Sequence, residues 1–472
     1  MDPVAYARAN RPRFLSELSE FIRFPSVSAQ PKHAADVKNC AAWLAAHLRR
    51  VDLPHVETIA TAKHPLVFAE WRGDRSLPTI LIYGHYDVQP PEPLDQWHSP
   101  PFSPLVRGDN LYGRGASDDK GQMFAHVKAL ESFLRTENQL PVNVKCLFEG
   151  EEEIGSSSFQ QFLGHNREKM RADVAIVSDM PMPAPGKPAI TYAMRGGLSM
   201  ELEVRGPKRD LHSGLYGGAV HNPLQALVEI VAKLHDGSGR VAVPGFYDRV
   251  RRWSGVEREH MRQAGPSDNE LLAQAGASQP WGESGFSEYE RTTIRPALTI
   301  NGITGGYQGP GSKGVIPARA SAKLSFRLAP DQDPSEACEQ VRRYVARLTP
   351  PTVTSRIAVQ SEANPVVLGT NHPAMRAAAF ALRKGFRTAP VFLRCGGTIP
   401  VVDTFRKVLG IPTVLMGFAL PDDRMHAPNE KFHLPNFYSG IESAIWFLRA
   451  SASLPQREEH LTNDRRLSLS RG

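Results

Sequence analysis

Short apolar runs that end in histidine or carboxylate residues recur along the chain of 472 residues. Residues 78–83 are apolar and partly β-branched, Gly84 closes the run, and His85 and Asp87 follow. A short apolar run bounded by turn residues is typical of a buried strand in a parallel sheet. Three further runs end in the same way, namely 142–148 before Glu149, Glu151, Glu152 and Glu153, 174–177 before Ser178 and Asp179, and 412–418 before Asp422, Asp423 and His426.

Segments with helical spacing of apolar residues alternate with these predicted strands. They lie at residues 13–24, 36–53, 159–170 and 373–384, and a further helix is predicted to begin at Asp118 and Asp119. Such alternation predicts an α/β fold with a mostly parallel sheet covered by helices. Ligands bind at the carboxyl ends of the strands in open α/β sheets. We therefore expect five segments to bring histidine and carboxylate groups to one sheet edge.

The hydrophobic pattern changes near residue 189. Apolar residues alternate with polar ones at 198–204, 298–303 and 320–328, which predicts strands with one exposed face. A helix is predicted at 223–234, whereas the charged region 247–291 shows no regular period. These features predict an inserted α+β domain.

The domain boundaries follow from this change of pattern. We expect a catalytic domain in two segments, 1–190 and 365–472, interrupted by the inserted domain at 190–365. A final helix is predicted at 441–448, and the state of 402–409 stays open. The polar residues beyond Leu454 are expected to form a frayed tail.

Composition narrows the classes of function. Hydrophobic residues make up 41% and charged residues 22% of the chain, as in soluble globular proteins. The net charge of +7 is spread along the sequence, so no nucleic-acid partner is predicted. The first residues lack the apolar core of a signal peptide, no run approaches the ~18 apolar residues of a membrane span, and the four cysteines show no CxxC spacing. We therefore expect a cytoplasmic protein without a membrane partner.

The residues at the predicted sheet edge suit divalent cations. Two histidines with several carboxylates form a ligand set for zinc or manganese, and a carboxylate can bridge two ions. Each motif alone has an ordinary interpretation, because an HxD sequence is typical of a hydrogen-bonded turn and a run of glutamates of a solvated face. Their recurrence at strand ends favours a metal site.

Five motifs of this chain together resemble a known family. They are G-H-Y-D-V-Q-P at 84–90, Y-G-R-G-A-S-D-D-K-G at 112–121, E-E-I-G-S at 152–156, S-D at 178–179 and M-H-A-P-N-E-K at 425–431. These are similar to the signatures of M20-family metallopeptidases, and in particular of carnosinase-like dipeptidases. The resemblance runs from about residue 14 to 448. It implies a dizinc hydrolase domain with an inserted lid domain that mediates dimerisation.

The resemblance also implies a set of metal ligands. On this basis Asp118 bridges two divalent cations, for which zinc is expected and manganese is the alternative. His85 and Asp179 complete one cation site, and Glu153 and His426 complete the other.

Other matching residues receive catalytic roles from the resemblance. Asp87 orients His85, and Glu152 is the general base that takes a proton from the metal-bridging water and passes it to the leaving amine. Asp119 supports the bridge through an unusual peptide bond. His212 matches a lid histidine that polarises the scissile carbonyl from the partner subunit, although a histidine in a glycine-rich loop is by itself typical of local hydrogen bonding.

The substrate-binding residues are inferred from the same resemblance. Arg327, which by its strand pattern alone can face water, matches an arginine that binds the substrate carboxylate. The segment R-C-G-G-T-I-P at 394–400 matches a substrate loop written R-E-G-G-S-I-P in the family. Cys395 replaces the usual glutamate, Thr398 keeps a hydroxyl, and Gly396 and Gly397 are shared.

The expected function is metal-dependent hydrolysis of an amide bond in small dipeptide-like substrates by a homodimer. Cys395 puts the family's usual dipeptide specificity in doubt, as does Gly314, where some carnosinase-like members have threonine. Two alternatives stay open. One is an N-acyl amino acid deacylase of the same superfamily, and the other is a non-catalytic relative that binds metal or partners. The complete set of five ligands together with Glu152 argues against the latter.

Overall fold

The computed structural model describes residues 1–456. Contacts divide the chain into two units, of which the first comprises 1–180, 371–390 and the part from 408 onward, and the second comprises 181–370 and 391–407. The segment 391–407, which we expected in the catalytic domain, packs with the second unit. The roles of the units as catalytic and lid domains stay predictions. Most of the expected frayed tail lies outside the described residues.

The α-helices are distributed along the whole described chain. In chain order they are α1 (Pro3–Ala9), α2 (Arg11–Ile22), α3 (Ala34–Arg50), α4 (Lys120–Glu137), α5 (Ser157–His165), α6 (Ser213–Tyr216), α7 (Pro223–Ala232), α8 (Gly255–Ala264), α9 (Asp268–Ala275), α10 (Glu288–Thr293), α11 (Pro334–Leu348), α12 (Pro373–Phe386), α13 (Pro400–Thr404) and α14 (Leu434–Ser451). None of the helices within residues 1–456 is long and apolar enough to cross a membrane.

The β-strands vary in length from 2 to 10 residues and belong to several sheets. In chain order they are β1 (His55–Ile59), β2 (Leu66–Trp71), β3 (Thr79–His85), β4 (Leu105–Arg107), β5 (Asn110–Tyr112), β6 (Asn143–Glu149), β7 (Val174–Val177), β8 (Ala189–Met194), β9 (Gly196–Arg205), β10 (Leu211–His212), β11 (Ala297–Gly305), β12 (Val315–Ile316), β13 (Arg319–Leu328), β14 (Thr354–Ala363), β15 (Val366–Val367), β16 (Val391–Cys395), β17 (Thr413–Gly417) and β18 (Lys431–His433).

The strands of the first unit form a mixed sheet in the order β1-β2-β6-β3-β7-β17. β6, β3, β7 and β17 are parallel, whereas β1 and β2 join antiparallel at one side. Helix α3 packs on β1 and β2, α4 packs on β3, and α14 packs against α4 and α12. The predicted α/β class is confirmed, and four consecutive strands of this sheet are parallel.

The parallel register brings the predicted site segments to one edge of this sheet. His85 at the end of β3 pairs with Glu149 at the end of β6, and Tyr83 pairs with Val177 at the end of β7. Parallel strands have their carboxyl ends at the same edge. The turns that follow β3, β6 and β7 therefore start beside one another, as the apolar runs predict.

The second unit contains a four-stranded antiparallel sheet in the order β11-β13-β9-β14. Along β9, Leu198, Met200, Leu202 and Val204 are buried and the residues between them are half-buried, which confirms the predicted alternation. Helices α7 and α11 pack on this sheet. The second unit also contains β8, which pairs with β15 antiparallel and with β16 parallel.

The region 247–291, for which the sequence shows no period, contains the short helices α8 and α9 and the start of a third, α10. Each helix begins with a capping box, in which a serine accepts the N–H of a glutamate three residues later and the glutamate accepts the N–H of the serine. The pairs are Ser254 with Glu257, Ser267 with Glu270 and Ser287 with Glu290. The recurring S-x-x-E spacing was the available signal for these helix starts.

Other elements differ from the prediction as well. Helix α11, which we did not predict, begins with Asp333 as its cap and buries Cys338, Val341 and Val345 at helical spacing. Helix α14 begins at Leu434 instead of residue 441. The undecided segment 402–409 contains the end of α13 and a π-helical turn.

Candidate metal centre

Five side chains of the first unit form two groups that share one carboxylate. His85, Asp118 and Asp179 form one group, and Asp118, Glu153 and His426 form the other. In each group the candidate ligand atoms lie within 4.8 Å of one another. The five residues come from the ends of β3 and β7, the turn after β6, the start of α4 and the loop after β17. The structure thus brings together every metal ligand that the sequence analysis names.

The carboxylate of Asp118 lies between the two histidines. Its Oδ1 is 3.1 Å from Nε2 of His85, and its Oδ2 is 2.9 Å from Nε2 of His426. Oδ2 of Asp179 is 3.9 Å from the same atom of His85, and Oε2 of Glu153 is 3.5 Å from the same atom of His426. Each oxygen of one carboxylate faces a separate group, which is the arrangement of a bridging ligand in a two-cation site.

The ligand atoms fit divalent cations by their chemistry and by their lack of other partners. Nε2 of His85 and Oε1 of Glu153 are buried and make no hydrogen bond within residues 1–456. Buried polar atoms of native proteins normally have a partner, so these two atoms are available to a ligand. Imidazole nitrogen and carboxylate oxygen are ligands that zinc and manganese share.

Ionisation of the buried carboxylates of the site costs free energy, and a bound cation would reduce this cost. Burial raises the pKa of Glu152 to about 7 and raises the pKa values of Glu153 and Asp179 well above the usual range. The neighbouring carboxylate of Asp118 adds to each shift. A divalent cation favours the ionised carboxylates, so cation binding and proton release are coupled at this site.

Asp87 orients more of the site than the sequence analysis assigns to it. Nδ1 of His85 lies 3.1 Å from the Asp87 carbonyl oxygen and 3.4 Å from its Oδ1, so Nε2 points toward Asp118. The Asp87 carboxylate also accepts the backbone N–H groups of Glu152 and Glu153, at 3.2 and 3.1 Å. One buried residue therefore contacts the histidine through its carbonyl group and holds the turn of the two glutamates through its carboxylate.

Two neighbours of the ligands contact ligand residues, namely Gln89, to which the sequence analysis gave no role, and Asp119, which was expected to support the bridge through an unusual peptide bond. Nε2 of Gln89 donates to Oε2 of Glu153 at 2.6 Å. Asp119 follows Asp118 through a cis peptide bond, and its Oδ2 accepts the N–H of His85 at 3.2 Å. Gln89 and Asp119 lie inside the recognised motifs, but only the folded chain shows what each of them contacts.

The predicted substrate residues of the second unit form a connected group of their own. Nη1 of Arg327 donates to the hydroxyl of Thr398 at 2.9 Å, and this hydroxyl donates to the Arg195 carbonyl at 2.7 Å. Sγ of Cys395 accepts the N–H of Gly397 at 3.3 Å. The loop that contains Cys395 and Thr398 is thus held against Arg327.

His212 belongs to a different part of the second unit. It precedes α6, is exposed, and accepts the N–H of Gly214 through its own Nδ1 at 3.0 Å. No hydrogen bond joins it to Arg327 or Thr398 in the described part of the chain. The local hydrogen bond agrees with the ordinary interpretation of this residue, and its role in catalysis stays a prediction.

A third cluster with possible metal ligands has a different explanation. Glu17, His47 and Glu131 lie within ligand distance of one another. The ammonium group of Lys128 lies 2.7 Å from Nε2 of His47 and 2.7 Å from Oε2 of Glu131, and it also donates to Glu17. The ammonium group of Lys128 therefore occupies the position that a metal ion would need in this cluster.

Comparison with known proteins decides the family. Residues 81–449 match the profile of peptidase family M20/M25/M40. The chain belongs to this family. The predicted resemblance is therefore confirmed, and this M20 protein is a metal-dependent hydrolase.

The M20 chain is similar to dipeptidases over nearly its whole length. It is 30% identical to the Cys-Gly metallodipeptidase DUG1 of Candida albicans, covering 93% of this chain and 94% of that protein. It is 31% identical to the human Beta-Ala-His dipeptidase, with coverage of 95% and 92%. The crystal structure of human carnosine dipeptidase 1 superimposes with a TM-score of 0.87 at 29% identity, covering 96% of this chain and 98% of that one.

Proposed function

We propose that this M20 enzyme hydrolyses the amide bond of dipeptides and similar small substrates. The observation that carries the proposal is the position of Asp118, whose two oxygens face two separate ligand groups. Similar M20 proteins are named for Cys-Gly and Beta-Ala-His dipeptides, which supports a dipeptide-sized substrate. We assign His85, Asp179, Glu153 and His426 as the remaining ligands of two cations, with zinc as the metal and manganese as the alternative.

In this proposal Glu152 transfers the proton during hydrolysis. Two bound cations lower the pKa of water and polarise a carbonyl group. Glu152 accepts the proton of the attacking water and then donates it to the leaving amine. The hydrogen bonds from Glu152 N–H and Glu153 N–H to Asp87 support this assignment, because they hold the base and a ligand on one rigid turn.

We assign recognition of the substrate carboxylate to Arg327, and further contacts with the substrate to the loop of Cys395, Gly396, Gly397 and Thr398. The guanidinium of Arg327 is half-buried and forms no ion pair with a carboxylate within residues 1–456. Its planar fork suits a carboxylate, and the hydrogen bond to Thr398 fixes its orientation. This arrangement supports binding of a substrate with a free carboxyl end.

Hydrolysis of N-acyl amino acids is the second candidate, and Cys395 favours it. Burial raises the pKa of the Cys395 thiol, so this side chain is neutral near pH 7. A neutral thiol lacks the charge with which the family's glutamate can bind a substrate ammonium group. A substrate with an acylated nitrogen has no ammonium group to recognise.

A cation-dependent substrate screen tests the function. The protein is stripped of metal, reloaded with zinc or manganese, and assayed with unblocked dipeptides and with N-acyl amino acids. We expect hydrolysis only after reloading and a higher kcat/KM for dipeptides. A higher kcat/KM for N-acyl amino acids would establish the second candidate, and a protein that binds cations without hydrolysing either class would be a non-catalytic relative.

Replacement of Cys395 by glutamate tests the role of the missing charge. A charge-assisted hydrogen bond to an ammonium group contributes roughly 1.5–3 kcal/mol. Cys395→Glu is therefore expected to raise the ratio of kcat/KM for free over N-acylated substrates by about tenfold or more. The isosteric change Cys395→Ser is the control, because it adds no charge. An unchanged ratio in the glutamate variant contradicts this role.

We further propose a homodimer in which His212 acts on the substrate bound to the partner subunit. The exposed side chains of Leu215 and Tyr216 beside His212 support an interface, being 76% and 42% exposed. The four free cysteines support a reducing, cytoplasmic location. The proposed partners are thus a small substrate and a second copy of the chain, without nucleic acid or membrane.

Mixing two inactive variants tests this assignment. His212→Ala removes the histidine that acts on the partner's substrate, and Glu152→Gln removes the general base. In a mixed dimer, one active site therefore combines the intact Glu152 of one subunit with the intact His212 of the other. We expect partial recovery of activity once the subunits have exchanged, as followed by light scattering and labelled subunits. Demonstrated exchange without recovery would show that His212 does not act across subunits.

A further inference from the structure

Glu430 is a fully buried carboxylate on the segment 419–433, which also carries His426. Within residues 1–456, its side-chain hydrogen bonds all go to the segment 114–118, which ends in Asp118. They are N–H of Ser117 at 3.0 Å and N–H of Asp118 at 3.1 Å to Oε1, and N–H of Gly115 at 3.0 Å and Nη1 of Arg114 at 2.8 Å to Oε2. One side chain thus binds the backbone of the bridging ligand directly.

A second buried carboxylate of the same segment makes a parallel connection. Oδ2 of Asp423 accepts the hydroxyl of Ser117 at 2.9 Å and the N–H of Leu420 at 2.7 Å. Its Oδ1 accepts Nζ of Lys431 at 3.0 Å. Asp423 is therefore held within its own segment and bonds outward to the residue that precedes Asp118.

These hydrogen bonds connect the segment that carries Asp118 with the segment that carries His426, and no metal ion takes part in them. Asp118 and His426 are separated by most of the chain, yet the N–H of Asp118 is bonded to a residue four positions after His426. A buried carboxylate with four donors is rigid, because moving it leaves charge and N–H groups unpaired. Glu430 and Asp423 therefore connect the segment that carries Asp118 to the segment that carries His426.

We propose that Glu430, assisted by Asp423, is a positioning residue for the cation shared by Asp118, Glu153 and His426. The proposal rests on the two-cation site of the proposed function. Glu430 does not touch the cation or the substrate in this proposal. It holds the bridging carboxylate and one histidine at the separation that a cation requires, which increases affinity by reducing the reorganisation that binding demands.

Calorimetric titration of the metal-free full-length protein with manganese measures this effect. Glu430→Gln keeps the size of the side chain but replaces one oxygen with an NH₂ group that faces other donors. Loss of an outer partner of a metal ligand weakens affinity by about 10–100-fold. We expect such a loss for the cation shared by Asp118, Glu153 and His426, and a smaller loss for the other cation, because Asp118 belongs to both ligand groups.

The matched control is Glu442→Gln. Glu442 is also a buried carboxylate of the first unit, but it accepts hydrogen bonds from Arg8 and Arg11 in the N-terminal helices. It should lower the melting temperature without changing either affinity. If Glu430→Gln likewise lowers only the melting temperature and keeps both affinities, its role is purely structural and the proposal is overturned.

Ser117→Ala provides a test that does not depend on the folding of the glutamine variant. It removes the donor to Asp423 with little change in volume, and roughly a fivefold weakening of the same cation is expected from one lost hydrogen bond. Equal affinities in wild type and Ser117→Ala overturn the proposal if Glu430→Gln cannot be folded. A wild-type protein that binds no cation would overturn the proposed function and this inference together.

Discussion

Glu152→Gln is expected to lower kcat by about 10²–10⁴-fold while cation content and melting temperature stay near the wild-type values. Glutamine has the shape of glutamate but cannot accept a proton from water at neutral pH. The backbone N–H of residue 152 still reaches Asp87, so the turn keeps its place. Steady-state kinetics, metal analysis by mass spectrometry and thermal melting of the same preparation measure the three quantities.

The control for this change is Glu168→Gln, because the Glu168 side chain is 88% exposed and lies outside the site. It should alter none of the three quantities. A kcat of Glu152→Gln within a factor of a few of the wild-type value would mean that another group carries the proton. Loss of cations from this variant would instead identify residue 152 as a ligand.

Glu153→Gln is expected to lose one cation and, with it, thermal stability. Oε1 of Glu153 is buried without a hydrogen-bond partner in the described chain, and Oε2 is 3.5 Å from Nε2 of His426. An amide is a far weaker ligand than a carboxylate for a divalent cation. A cation at 100 times its Kd stabilises the folded state by about 2.7 kcal/mol, so its loss lowers the melting temperature by several degrees.

Metal stoichiometry and melting curves with and without added zinc measure this second effect. Wild type and Glu152→Gln should both show a large rise in melting temperature on addition of zinc, and Glu153→Gln a smaller one. Retention of two cations by Glu153→Gln would remove residue 153 from the ligand set. Equal behaviour of the two glutamine variants would show that the adjacent glutamates do not have separate roles.

Much of the site was predictable because its residues follow local hydrophobic runs. His85 ends the buried strand β3 and Asp179 lies two residues after β7, and parallel pairing brings the ends of such strands to one edge. The contacts of Glu430 had no such signal, since its partners lie more than 300 positions earlier in the chain. Sequence pattern identifies which residues are near a strand end, but not which N–H group a distant carboxylate accepts.

The missed parts of the fold have a related explanation. Helix α8 buries only Met261 and α9 buries no residue, so no apolar stripe marks them in the sequence. Their capping boxes are polar signals that a search for apolar periodicity overlooks. The segment 391–407 packs with the second unit through the pairing of β16 with β8, which joins residues about 200 positions apart and leaves no local signal in the sequence.

The division of residues between the two units has a consequence for divergence within the family. All five candidate ligands and Glu152 belong to the first unit, whereas Cys395, Thr398 and Gly314, which depart from the family pattern, belong to the second. Substitutions can therefore accumulate among the proposed substrate residues without altering any of the candidate cation ligands. Related proteins can in this way differ in substrate while they keep the same hydrolytic residues. A mutant library confined to residues 391–407 would vary the proposed substrate loop in the same manner.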